Sequence, residues 1–381
     1  MSETGTTPER LSWRDAMLNA INPGLLGGIS FRVWMRVLRD NRFDLDVAHL
    51  PRAVSITLGS LLNSVGRRVE DHYFRAAVEQ TTIAPPLFVL GIWRSGTTHL
   101  HNLLARDDRF GYPNLYQTMY AQSFLTTERF GAGMLASILP PQRPQDNMAL
   151  GVGEPQEDEL ALVSLTGRTM MSNLFFPRNS KYYERYVTLR KLSPAELAEW
   201  KAALLWFVRK VSFHCQRPLV LKSPAHTARI RVLLDMFPDA RFVHIQRDPF
   251  VVFQSMRATA LKLGSIMALH DGDGFDLDEH LIAQYKEVYE AYFEERALIP
   301  PGRLHELRYE DLEADPLGQL RATYQALDLP DFAHAEPALR AYIESLRGYS
   351  KNTFEALPAP LAKRLGVEWR QCFDAWGYPR R

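Results

Sequence analysis

The chain has 381 residues, of which 46% are hydrophobic and 23% charged, and a formal net charge of +1. That length carries one large α/β domain or two domains, and the near-zero charge excludes a generally basic surface for nucleic acid, so any anion site must be assembled locally. Two cysteines, Cys215 and Cys372, exclude a disulfide framework and a multi-cysteine metal centre; with a polar start, no signal-peptide core and no apolar run of bilayer length, the expected location is a reducing cytoplasm.

Residues 11–80 read as helical, with breaks expected at Asn22-Pro23-Gly24 and at Pro51. Phe31, Trp34, Met35 and Leu38 recur there at helical spacing, opposite Arg32, Arg36 and Arg39. This is either a surface helix with its apolar face on the core, or a basic amphipathic face that touches a membrane or lipid substrate. Ala84-Pro85-Pro86 ends the segment. An N-terminal helical extension over 1–84 and an α/β domain over 85–381 follow as the expected organisation.

The apolar run Leu87-Phe88-Val89-Leu90 leads into Gly91-Ile92-Trp93-Arg94-Ser95-Gly96-Thr97-Thr98. A strand, a glycine-punctuated loop and a helix opening on two hydroxyls form a phosphate cradle, because loop and helix N–H groups converge on one anion. A nucleoside-triphosphate loop places Lys after its second glycine. Here Thr97 stands there and the basic residue is Arg94, so a γ-phosphate with Mg²⁺ is not expected. The helix is predicted from about Thr97 to Ala105.

Residues 111–215 are rich in Tyr, Phe, Met and Pro and include the breaker cluster Pro140-Pro141-Gln142-Arg143-Pro144. With the N-terminal helices, this interval is expected to wall a large apolar pocket. Ser193-Pro194-Ala195-Glu196 predicts a capping box opening a helix over 194–213. Further short apolar runs begin at Leu219, Phe242 and Leu304, and a helix-like segment from His226 to Phe237 separates the first two. Strand–helix alternation predicts a parallel sheet flanked by helices, with ligands at the carboxyl ends of its strands. Three of those ends carry Arg94, Lys222 and Arg247. Asp248 and Pro249 read as N-cap and first position of the next helix, which brings Ser255 within reach of an anion held by Arg247. Asp271-Gly272-Asp273-Gly274 reads as a surface turn, with too few ligands for a calcium loop.

The strand with Arg-Ser-Gly-Thr-Thr, the later strand with Arg247-Asp248-Pro249, and Ser255 eight residues after that Arg resemble the PAPS-dependent sulfotransferases, most closely a bacterial branch with Arg in the loop. The resemblance spans roughly residues 85–378. It implies a P-loop-like parallel sheet and 3′-phosphoadenosine 5′-phosphosulfate (PAPS) as co-substrate, with no metal. It also implies that Arg94, Ser95, Gly96, Thr97 and Thr98 hold the 5′-phosphosulfate while Arg247 and Ser255 hold the 3′-phosphate. Lys222-Ser223-Pro224 resembles the strand-end Lys segment beside the transferring sulfuryl group. Tyr309-Glu310-Asp311-Leu312 and Trp376-Gly377-Tyr378 resemble later family segments.

The catalytic base departs from the family patterns. No carboxylate lies between Asp108 and Glu128, where one branch places a Glu. Pro224 fills the position where another branch has His. His226, two residues on, is the first candidate; its plain reading is a capping or solvent-facing His. Glu157, in Pro155-Gln156-Glu157-Asp158-Glu159, is the second, and an acidic helix start is its plain reading. His99 and His101 beside the loop helix rank below both. The expected activity is sulfuryl transfer to a hydroxyl of an apolar or aromatic acceptor: a phenol, lipid alcohol or glycolipid. The competing readings are an ATP-using P-loop kinase of small metabolites and a non-catalytic, membrane-peripheral binding protein. Oligomeric state is not legible.

Overall fold

The structure, a computed structural model, describes residues 21–140, 150–272, 276–348 and 354–380. Residues 11–20 of the expected N-terminal helix, 141–144 of the breaker cluster and 273–274 of the expected turn lie outside them.

The strands among the described residues are β1 (Leu87–Leu90), β2 (Val220–Lys222), β3 (Arg241–Gln246) and β4 (Leu304–Arg308). They form one sheet in the order β2-β1-β3-β4, parallel throughout. β1 is buried at every position, as expected of a strand covered on both faces. Successive side chains go to opposite faces. Phe88 and Leu90 therefore join Leu221 and Phe242 in the larger apolar cluster, whereas Leu87 and Val89 join Val220, Val243 and Ile245 in a second one. Because all strands run the same way, their carboxyl ends and the loops leaving them share one edge.

Helices Phe31–Asp40 and Leu50–Gln80 precede the sheet. Trp34 and Leu38 are buried in the larger cluster, and the Trp34 indole N–H donates to Thr57 Oγ1 at 2.9 Å. Trp34 and Leu38 of the first helix thus face the core, while Phe31 stays exposed. Pro51 does not break a helix. It sits in the first turn of the second one, where its missing N–H costs nothing. The chain turns instead around Asn41 to Asp46, with Arg42 and Phe43 at φ 55° and 58°. Glu70 of the second helix forms a buried ion pair with Lys210 of helix Pro194–Cys215, so these N-terminal helices share their core with the rest of the chain. The Ser193–Glu196 capping box forms as expected. Among the described residues no helix is long and apolar enough to cross a membrane.

Candidate active site

The loop after β1 is built on constrained backbone. Gly91 has φ 140° and Gly96 φ 105°; a Cβ on Gly96 would collide with the Tyr309 ring, so glycine is required there on both counts. Arg94 holds φ 72°, an uncommon conformation for a side-chain-bearing residue and one associated with functional loops. Gly91 N–H donates to Thr227 Oγ1 at 2.8 Å, and Ser95 Oγ–H donates to Ile92 O at 2.8 Å. Helix Thr97–Leu104 follows. Its N-cap, Gly96, supplies no side-chain hydrogen bond, so first-turn N–H groups are left for a ligand.

Around this loop the structure assembles the three strand-end cations. Arg94 Nε–H donates to Ser255 Oγ at 2.8 Å. Ser255 is buried on helix Pro249–Met267, whose N-cap Asp248 accepts from Phe250 N–H at 2.8 Å. Arg247 points an Nη1–H at Arg94 O, 3.4 Å away, and its guanidinium lies 4.2 Å from the centre of the Tyr309 ring. Lys222 Nζ lies 3.5 Å from Thr98 Oγ1. The Tyr309-Glu310 segment fixes this side of the site. Glu310 accepts from Asp248 N–H at 3.2 Å and from Tyr378 Oη–H at 2.6 Å, so the carboxy-terminal segment is tied to the loop that carries Arg247.

The acidic run divides. Glu157 Oε1 lies 2.7 Å from Lys222 Nζ, and its side chain keeps 16% exposure. Asp158 Oδ1 lies 2.8 Å from His226 Nε2, and both side chains are fully buried. The His226 ring is wedged edge-on against Phe88 and Trp200. Glu159 pairs with Arg229, also fully buried. His226 is therefore neither the helix cap nor the solvent-facing residue that its plain reading supposed. Among the other histidines, His101 is buried with Nε2 3.3 Å from Val220 O. Burial, reinforced by the nearby Lys222 charge, pushes it down to about 3, so it stays neutral. Burial also lowers His99.

A cavity of about 500 Å³ opens beside the loop, lined by Trp93 and Arg94, by Met170, Met171 and Leu174, and by Met256, Leu277 and Leu281 among others. Its walls combine one part of the 111–215 interval with helices Pro249–Met267 and Leu277–Glu295. Among the described residues the N-terminal helices do not line it. Most aromatics of that interval, such as Phe175, Phe176, Tyr183 and Tyr186, belong to the core, and the cavity is walled by methionine and leucine.

The sequence profile of the sulfotransferase family matches residues 85–334. The chain belongs to that family. Over 354 residues this sulfotransferase is 38% identical to the omega-hydroxy-beta-dihydromenaquinone-9 sulfotransferase Stf3 of Mycobacterium bovis, covering 93% of this chain and 91% of the relative. Its fold is similar to that of sulfotransferase STF9 from Mycobacterium avium, with a TM-score of 0.66 at 17% identity over 92% of this chain and 97% of the other. Sulfotransferase STF1 from Mycobacterium tuberculosis gives 0.60 at 17% identity over 87% and 93%.

In this sulfotransferase the residues singled out from the sequence, Arg94, Ser95, Gly96, Thr97, Thr98, Lys222, Arg247, Ser255 and Glu157, come together at one sheet edge. His226 stands behind them in the core. Sequence reasoning missed Thr227, which holds the loop at Gly91, and the role of Tyr309 beneath Arg247. It also missed the cavity wall beyond Ser255. One signal was available there: Met256, Thr259 and Ala260 continue the same helix past Ser255.

Proposed function

We propose that this sulfotransferase uses PAPS and sulfates a hydroxyl carried by a long apolar acceptor, a lipid-like alcohol or phenol, with Glu157 as base. The observation that carries the reading is that Arg94 belongs at once to the anion-binding loop and to the wall of the 500 Å³ apolar cavity. A donor on the loop and an acceptor in the cavity then meet at one guanidinium. The menaquinone-derived acceptor named for Stf3 supports the same class.

In this reading the loop N–H groups, Thr97 and Thr98 receive the phosphosulfate, and Arg247 with Ser255 receives the 3′-phosphate, for which a planar guanidinium and a hydroxyl suit the phosphate oxygens. Two anion pockets without a triphosphate explain why Thr97 replaces the lysine of a nucleoside-triphosphate loop. The acceptor oxygen bonds to sulfur as the bond from sulfur to the bridging oxygen breaks. Glu157 takes the hydroxyl proton. Lys222, between Thr98 and Glu157, donates to the departing bridging oxygen, and Arg94 offsets charge on the sulfuryl oxygens. Glu157 is preferred over His226 because a base must reach substrate, and His226 is sealed behind Phe88 and Trp200.

The test is transfer of labelled sulfate from PAPS to a panel of lipid alcohols, quinol derivatives and small polar sugars, with calorimetry of adenosine 3′,5′-bisphosphate against ATP with Mg²⁺. Metal-independent bisphosphate binding and labelling of the apolar acceptors are expected. Preference for ATP, or labelling of sugars alone, would sink the reading.

A further inference from the structure

Helix Leu50–Gln80 carries an apolar stripe that nothing covers among the described residues. Residues 53–66 hold no ionisable side chain. Val54, Leu58, Leu61, Leu62, Val65 and Val69 recur at helical spacing and are all exposed, Leu58 at 61% and Leu62 at 75%. The opposite side of the same helix is occupied: Ala53, Ile56 and Ser60 are buried. A continuous apolar surface of this kind marks an interaction site.

The charge around the stripe is one-sided. Arg32, Arg39, Arg42 and Arg68 are exposed and have no carboxylate partner among the described residues. The nearby acids are taken, Asp71 by Arg67, Glu79 by Arg75, and Asp44 and Asp46 by Arg178. Phe31 N–H donates to Ser64 Oγ at 2.9 Å, which sets Arg32 beside the middle of the stripe. Arg42 adjoins the exposed Phe43. In a chain of net charge +1, four arginines without a carboxylate partner among the described residues, around an uncharged apolar stripe, are a local arrangement. They complement an anionic lipid surface.

The start of helix Leu50–Gln80 is tied to the segment that follows the cavity-lining helix Pro249–Met267. Arg52, in its first turns, donates to Ala268 O at 2.9 Å. Asp46 N–H donates to Leu269 O at 3.1 Å. Asp46 also binds Arg178, whose neighbour Pro177 lines the cavity together with Leu261, and Leu261 is itself exposed. A second copy of the chain fits less well. From Val54 to Val69 the stripe is about 24 Å long and about 10 Å wide, roughly 240 Å² against the roughly 800 Å² per partner of a standard interface.

We infer that the Val54–Val69 face of this helix docks on an anionic bilayer, with its apolar stripe in the interface and the arginines at the lipid headgroups, and so brings the cavity to the membrane. The last clause rests on the acceptor reading above; the docking does not, and it is measured without any transfer reaction. Cosedimentation of the full chain with phosphatidylglycerol–phosphatidylcholine vesicles and with pure phosphatidylcholine vesicles tests it, alongside light scattering. Binding to the anionic vesicles is expected, weakened severalfold by added salt and by Arg42→Ala with Arg68→Ala. Leu58→Glu with Leu62→Glu and Val65→Glu should lower partitioning at least about tenfold, with the thermal midpoint and transfer to a water-soluble phenol unchanged. Three outcomes overturn the inference. One is no vesicle binding, which leaves residues 1–20 or another partner as the cover. Another is equal binding by the triple-glutamate variant. The third is a wild-type dimer that this variant dissociates, which makes a second copy the occupant.

Discussion

Glu157, Asp158 and Glu159 are consecutive carboxylates, and each lies against a nitrogen-bearing side chain of the segment Lys222 to Arg229 (Lys222, His226 and Arg229), yet their surroundings differ. Lys222–Glu157 sits at the sheet edge with Glu157 open to the cleft. Asp158–His226 and Glu159–Arg229 are closed off completely. A partly solvated pair can exchange a partner for substrate at little cost. A sealed pair cannot, because freeing one member leaves an uncompensated charge in the interior. Burial, then, divides three adjacent pairs into one open to the cleft and two sealed in the core.

Substitutions can break this division. The largest effect is expected at the open pair: Glu157→Gln should lower kcat by about 10²- to 10⁴-fold while leaving bisphosphate affinity and the thermal midpoint nearly unchanged. At the deepest pair, Arg229→Met strands Glu159 and should cost about 3–5 kcal/mol of stability, read by urea unfolding; the variant of Glu159 and Arg229 together, repacked with apolar residues, should recover part of it. His226→Asn decides the comparison. Loss of about 1–3 kcal/mol of stability is expected, with turnover per folded molecule altered only a few fold. A collapse of turnover in a fully folded His226→Asn protein, with Glu157→Gln active, would return the base to His226. Within the donor site, Arg247→Ala should weaken bisphosphate binding by about 10- to 100-fold, seen by calorimetry.

A further effect concerns pH. Burial holds His101 at about 3 and His244 at about 4, below the usual value near 6.5. Both stay neutral in the folded protein while the unfolded chain takes up protons as pH falls below that value. Stability is therefore complete above about pH 6.5 and declines as pH drops toward 4. Thermal midpoints measured across that window should fall, and His101→Asn should flatten the slope.

The loop and strand-end side of the site was legible in the sequence because it is local. A glycine at positive φ, a strand-end arginine and a serine two helical turns after an Asp-Pro cap are short-range patterns whose geometry follows from backbone sterics and helix periodicity. Strand β1 was legible for the same reason: a strand buried on both faces is an unbroken apolar run, whereas edge strand β4, with only Leu307 buried, shows a broken one. The N-terminal helix with Trp34 and Leu38 was ambiguous, since an amphipathic face looks alike whether it meets a core or a lipid. The apolar stripe on the next helix went unread because exposure is not written in residue type.

From the sequence alone came the family resemblance, the parallel sheet and the cluster of Arg94, Lys222 and Arg247 at its edge, since each cation ends a short local strand pattern and parallel strands bring their carboxyl ends to one edge. Tertiary structure alone decided which of three adjacent carboxylates faces the cleft, that His226 lies in the core, and that the 111–215 interval lines the cavity with Met170, Met171 and Leu174 rather than with its aromatic side chains. Those outcomes depend on which surfaces are sealed when segments 65 to 160 residues apart come together, and solvent exclusion of that kind has no local signature.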